Sequence, residues 1–264
     1  MPDSVPAAAA AQLDDPFAEL KGPLAGTVRM RLEVTDNAQL TPHMQRLVLT
    51  APGLADLTYR PGQDVMLLVA VDGNRPVRRR YTIRALDTTR QLLTLDIVRH
   101  GDGPGEQWVR SAQPGDTIEG IAPRGKIFVA AEADWHLFAA DESGLAAVFA
   151  MTGSLPADGR ATAFLEVPEA ADEQKPDLPA GASVTWLPRD GGPAGDAAAL
   201  ATALQAAELP PGTGHVYLFG EAKVVLALRE VLEARGVPGG QVSAKAYWGR
   251  GKANAQHGEP GREG

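Results

Sequence analysis

The sequence predicts a mixed architecture: an antiparallel β-barrel followed by an α/β doubly wound parallel sheet. Three observations carry this. Between residues 27 and 121, short apolar segments are separated by Gly/Pro turns and leave little room for helix, the pattern of an antiparallel barrel or sandwich. After Gly125, compact apolar runs alternate with helix-like stretches, the pattern of a parallel sheet wound with helices. The length, 264 residues, suits two modest domains.

The elements follow in order. Residues 28–34 alternate apolar and polar side chains, as a half-buried strand does. Further strands are expected at 46–50, 65–71, 81–85, 92–98 and 116–121. Pro52-Gly53, Pro61-Gly62, Asp72-Gly73-Asn74 and Pro114-Gly115-Asp116 supply the turns between them. In the second half, strands are expected at 135–140, 161–167, 182–187, 215–220 and 242–248. Helices are expected at 143–151, at 196–208 with Asp196 as cap, and at 221–235, stopped by Gly236. Residues 1–26 and 253–264 lack periodicity and read as mobile tails. The expected domains are therefore 27–130 and 131–252.

Composition excludes several classes. The chain has no cysteine, so it carries no disulfide, thiol nucleophile or Cys-bound metal. No uninterrupted apolar stretch approaches the length of a membrane span. The alanine run at 7–11 lacks a basic flank, so a cytoplasmic location is expected. The net charge of -8 argues against a nucleic-acid partner.

The charge is uneven. Residues 25–130 hold 14 bases and 11 acids, whereas residues 131–264 hold 10 bases and 18 acids. Much of the basic excess is one cluster: Arg75, Arg78, Arg79, Arg80 and Arg84. Arginine favours phosphate and carboxylate recognition, because its fork binds two oxygens at once. The plainer reading is a solvated edge strand.

Two motifs carry chemistry. In Arg79-Arg80-Tyr81-Thr82-Ile83-Arg84, an extended backbone can meet the edge of a flat heterocycle. Tyr81 would pack on its face, Thr82 would place a hydroxyl near a reactive nitrogen, and Arg79 would reach a pyrophosphate. The second motif, His100-Gly101-Asp102-Gly103-Pro104-Gly105-Glu106-Gln107-Trp108, is a glycine-rich turn opening a short helix. Its exposed backbone N–H groups suit a phosphate.

Together with Pro114-Gly115-Asp116, Ala122-Pro123-Arg124-Gly125, Ala140-Asp141-Glu142-Ser143-Gly144-Leu145-Ala146, Gly220-Glu221 and Tyr247-Trp248-Gly249-Arg250-Gly251, these motifs are in order and spacing. The sequence resembles the siderophore-interacting protein family of FAD-dependent ferric-siderophore reductases over residues 27–252. The resemblance implies an oxidoreductase with a flavin-binding barrel and a nicotinamide-binding α/β domain. It implies FAD contacts at Arg79, Tyr81, Thr82, Ile83, Arg84, His100, Gly103, Pro104 and Gly105. It implies NADPH or NADH as donor, near Asp141, Glu142, Ser143, Gly220, Glu221 and Trp248. It implies a ferric siderophore as substrate, drawn by Arg124, Lys245 and Arg250, with Lys126 and Lys252 as further cations.

No catalytic acid, base or metal is then required. A ferredoxin is the alternative donor, a monomer the expected state, and Arg189 a lean toward NADPH. Other readings of the same residues are a flavin reductase with a different acceptor and a non-catalytic siderophore- or flavin-binding module. Glu106 departs from the family's Ser, and a carboxylate there would repel a pyrophosphate unless it turns away or serves only the helix dipole. Asp141, Glu142 and Glu221 have a plain alternative role as helix caps, and Trp248 as a core aromatic.

Overall fold

The computed structural model describes residues 17, 26–73 and 75–251. The expectations placed on the remainder of both tails, on Asn74 and on Lys252 lie outside the described residues. The chain divides into two compact units, Met1–Phe128 and Val129–Gly264.

The first unit is a closed six-stranded barrel rather than a sandwich, with strand order β1-β2-β5-β4-β3-β6. Its strands are β1 (Val28–Thr41), β2 (Met44–Thr50), β3 (Asp64–Asp72), β4 (Arg75–Asp87), β5 (Leu92–Val98) and β6 (Thr117–Arg124). The hydrogen-bonded strand pairs are all antiparallel. Closure removes the free edges that an open sheet of this kind would expose. The core is made by the inward residues Leu32, Val34, Leu47, Leu49, Val65, Leu67, Ile83, Leu93 and Leu95.

Helix α1 (Pro104–Ser111) closes onto this core with Trp108 and Val109. Its proline in the first turn lacks only a donor that the helix leaves unused there. At the other end, Asn37 Nδ2 donates to the carbonyls of Val109 at 2.8 Å and Ala112 at 2.7 Å. Those carbonyls would otherwise be orphaned at the helix end. Phe17 is buried against Met66, Leu68 and Ile121.

The second unit is a five-stranded parallel sheet in the order β11-β10-β7-β8-β9. Its strands are β7 (Trp135–Ala140), β8 (Ala161–Val167), β9 (Ala182–Pro188), β10 (Gly214–Glu221) and β11 (Val242–Trp248). Helices α3 (Ala198–Ala206) and α4 (Ala222–Ala234) cover the face that carries Leu137, Ala139, Val216 and Leu218. A 3-10 turn, Glu142–Gly144, leads into α2 (Leu145–Thr152) on the other face. There a Cβ on Gly144 would meet the Cβ atoms of Ala140 and Phe219 at 2.7 and 2.8 Å, so the turn needs glycine.

Cap assignments shift by a residue or two. Asp196 does not occupy the position before α3, which is Ala197, yet its carboxylate still accepts from Ala198 N at 2.9 Å. Glu221 is the true cap of α4 and accepts from Lys223 N at 2.5 Å and Val224 N at 3.0 Å.

Candidate functional site

In the first unit, β4 and the start of α1 converge. A Cβ on Gly105 would lie 2.7 Å from the Tyr81 hydroxyl oxygen and 3.1 Å from Arg79 Cγ. Only a glycine in the first turn of α1 lets the strand approach so closely. Tyr81 packs against the barrel core, and burial pushes its hydroxyl pKa upward. It therefore stays neutral and offers a ring face rather than a charge. Gly103 caps α1 and is exposed, Pro104 is half-buried, and His100 stands exposed just ahead of them. Thr82 is buried on β4 and pairs in register with Asp64 of β3.

The arginine cluster divides into two groups. Arg80 makes a bidentate pair with the buried Asp64, at 2.9 and 2.5 Å. Arg84 lies 3.6 Å from the buried Asp96, which also takes a bidentate pair from Arg46 at 2.7 and 2.8 Å. These two arginines are committed to the barrel wall, because a buried carboxylate demands a paired cation. Ile83 is also committed. Its side chain is core, its N–H donates to Gln63 O at 2.9 Å, and its carbonyl accepts from the Tyr59 hydroxyl at 2.9 Å. Among the described residues, Arg79 donates only to the neighbouring carbonyl of Arg78, at 2.9 Å. Arg124 ends β6 opposite Asp64, and its Nε and Nη1 are buried without a hydrogen-bond partner among the described residues. Burial and the nearby Arg80 lower its pKa.

Glu106 does turn away. One oxygen, Oε1, lies 3.0 Å from Arg110 Nη2 and 3.9 Å from Arg99 Nε. Its carboxylate is neutralised within the protein, and its side chain is 6% exposed.

In the second unit, the carboxyl ends of β7, β10 and β11 are tied together by buried acids. Asp141, 3% exposed, accepts from Ser143 N at 2.9 Å, Ser143 Oγ at 2.5 Å, Glu221 N at 2.9 Å and Trp248 Nε1 at 2.8 Å. Burial first, and then the charge of Glu142, push its pKa up to about 6. Gly220 has φ +139°, and a Cβ there would lie 2.5 Å from the Asp141 carboxylate. Glu221, 2% exposed, also accepts from Arg250 N at 3.0 Å. The Arg250 guanidinium donates to Ala194 O.

Glu142 stands apart from this group. It forms a bidentate pair with Arg189, at 2.7 and 2.8 Å, and Arg189 also reaches Glu166 at 2.9 Å. Arg189 is thus occupied by two acids rather than open to a 2′-phosphate. Lys245 is buried on β11 with its ammonium 4.8 Å from the Tyr247 ring centroid.

Sequence reasoning missed Asp64, Asp96, Asn37 and Arg99. The first two had a readable signal. A lone acid inside or opening an apolar strand needs a cation partner.

The closed barrel and the parallel sheet define the fold class, a ferredoxin-reductase-like pair of domains. Residues 69–127 match the siderophore-interacting FAD-binding domain, and residues 133–251 match the siderophore-interacting protein domain. The chain is 33% identical over 207 residues to ferric vibriobactin reductase of Vibrio cholerae, covering 76% of this chain and 74% of that one. It is 29% identical over 184 residues to the NADPH-dependent ferric-chelate reductase of Escherichia coli, covering 69% and 70% respectively. A siderophore utilization protein from T. fusca, solved by crystallography, superposes with a TM-score of 0.78 at 35% identity, covering 88% of this chain and 97% of that one. The chain belongs to the siderophore-interacting protein family.

The residues present fit FAD. The Gly105 cradle, the exposed turn at Gly103, the half-buried neutral Tyr81 and the weakly engaged Arg79 would suit a dinucleotide. Among the described residues, no group of three or more His, Asp or Glu is placed to hold a metal ion, and no helix is long and apolar enough to cross a membrane.

Proposed function

We propose that this chain is a ferric-siderophore reductase that takes electrons from NADPH or NADH through FAD and delivers them to Fe(III). The observation that carries the reading is the convergence of Arg79, Tyr81 and Gly105, inside a domain matching an FAD-binding family. FAD, when bound, accepts a hydride and releases single electrons. The chain supplies placement and charge. Arg79 would hold the phosphates with the N–H groups of the turn at Gly103, Pro104 and Gly105, beside His100. Tyr81 would present its ring and Thr82 its hydroxyl. Ile83 and Arg84 would act indirectly, by fixing the strand.

Residues 27–130 would hold FAD and 131–252 the nicotinamide. Glu142, Ser143 and Trp248, framed by Asp141, Gly220 and Glu221, would line the nicotinamide site. Arg124 is the best-supported contact for an anionic ferric siderophore, because its buried donors lack partners among the described residues. Arg250 is exposed and would assist, whereas Lys245 is buried and would act only through its charge. The iron is substrate: oxygen-donor siderophores hold Fe(II) far more weakly than Fe(III), so reduction releases it. The protein would act as a cytoplasmic monomer.

The test is spectroscopic. Purified protein should take up FAD and turn yellow. Anaerobic NADPH or NADH should bleach it, and a ferric siderophore should restore the colour. Protein that takes up no FAD sinks the reading and leaves a non-catalytic binding module. Bleaching by a reduced ferredoxin but by neither nicotinamide would reassign the donor. Recovery with quinones but not with ferric siderophores would reassign the acceptor.

A further inference from the structure

We propose that Arg99, held against the first turn of α1 by Glu106, is a second phosphate-binding arginine for FAD, working beside Arg79. This rests on the reading that the barrel holds FAD.

The argument begins with Glu106. A carboxylate in that turn should oppose a pyrophosphate bound there. Its surroundings reverse the sign. Arg110, one helical turn on, and Arg99, just past the end of β5, both meet Oε1, so the trio carries one negative and two positive charges. The carboxylate is buried and, among the described residues, its Oε2 has no hydrogen-bond partner, so its charge is met by these guanidiniums.

The two arginines differ. Arg110 makes a true hydrogen bond at 3.0 Å and is 56% exposed, on a helix side that faces solvent. Arg99 is drawn in at 3.9 Å, too far for a hydrogen bond, and is 29% exposed. Its backbone is pinned, since Arg99 N donates to His43 O at 2.8 Å. Among the described residues, its guanidinium makes no hydrogen bond. It is therefore partly desolvated, held in position and left with its donors unspent.

Position completes the case. Arg79 on β4 touches the Cβ site of Gly105, and Arg99 meets Glu106, the next residue. Strands β4 and β5 are paired neighbours. Two arginine side chains from adjoining strands thus meet consecutive residues of one helical turn, Arg79 through its methylenes and Arg99 through its guanidinium. A diphosphate offers two anionic groups to such a pair.

The test measures FAD binding to apoprotein by quenching of FAD fluorescence, which does not require turnover. Arg99→Gln should weaken binding roughly ten- to a hundredfold at low salt, as loss of a charge-assisted hydrogen bond does. Arg99→Lys should recover part of this, because it restores the charge without the fork. Arg90→Gln, in the exposed turn between β4 and β5 and outside the trio, should change binding by less than about threefold. The gap between wild type and Arg99→Gln should shrink between about 0.02 and 0.5 M salt, which a merely structural role would not produce. Binding by Arg99→Gln within about twofold of wild type would overturn the proposal, as would an equal loss in Arg90→Gln. Wild-type protein that fails to bind FAD at all would instead remove the FAD reading and this inference with it.

Discussion

Asp141 receives four hydrogen bonds, two on each oxygen. Its Oδ2 serves Glu221 N–H and the Trp248 indole N–H together, so it joins β7 to both β10 and β11. Asp141→Asn turns an acceptor into an NH2 group. If the amide nitrogen replaces Oδ2, it faces two donors; if it flips, it faces Ser143. Either way a buried pair is broken, and a loss of about 2–4 kcal/mol in unfolding free energy is expected from denaturant titration. The pH dependence has a definite sign. The folded pKa of about 6 lies above the ordinary 3.8, so the folded state holds a proton that the unfolded state has lost. This contribution is fully favourable below about pH 4 and is lost as pH climbs toward 6. The stability gap between wild type and Asp141→Asn should narrow over that window and then level off. A gap that widens with pH would contradict the burial that raises this pKa.

Gly105 decides how α1 sits on β4. Helix propensity favours alanine over glycine by about 1 kcal/mol. Here the added methyl would meet the Tyr81 hydroxyl at 2.7 Å, and a ring packed against the barrel core cannot yield cheaply. Overpacking of this kind costs about 1–3 kcal/mol, so the clash prevails. Gly105→Ala should therefore lose apo stability in thermal melts and weaken FAD binding roughly tenfold by displacing the ring. Gly103, two residues earlier, has open space around it, so alanine there should leave the Tyr81 environment unchanged. Equal FAD affinity in Gly105→Ala and wild type would remove Tyr81 from the flavin site.

At this level much was readable from sequence. Strands β5, β7, β8 and β11 run between their expected bounds, because each is an apolar run closed by turn residues. β1 and β4 extend further than their apolar patterns. β1 continues through polar residues to Thr41 by pairing with β2, and β4 absorbs Arg75 to Arg80 by pairing with β3. Side-chain alternation cannot report backbone pairing of polar segments. The arginines themselves were visible, but their fates were not. Arg80 finds Asp64 sixteen residues away and Arg46 finds Asp96 fifty away, and only the closed barrel makes those pairs adjacent. For the same reason Glu106 looked repulsive in sequence and is neutralised in the fold.

The whole chain carries -8, yet its proposed substrate is anionic. Screening decides which charge the substrate meets. At about 0.1 M salt the Debye length is about 10 Å, so charges on remote surfaces are largely damped and local ones prevail. The acids are concentrated in residues 131–264, while residues 25–130 carry three more bases than acids. Within the barrel, Arg124 stands beside Arg78 and Arg80 with Asp64 as the acid among them. An anionic ferric siderophore should therefore be drawn to the barrel against the overall charge. Its kcat/KM should fall several-fold as salt rises from about 0.02 to 0.3 M, while that of a neutral ferric chelate changes little. Arg124→Gln should lower kcat/KM for the anionic substrate at low salt and flatten its salt dependence. FAD affinity in that variant should stay near wild type, separating substrate attraction from cofactor binding. If anionic and neutral substrates respond alike to salt, or if Arg124→Gln loses FAD as readily as substrate, the local field around Arg124 is not what recruits the siderophore.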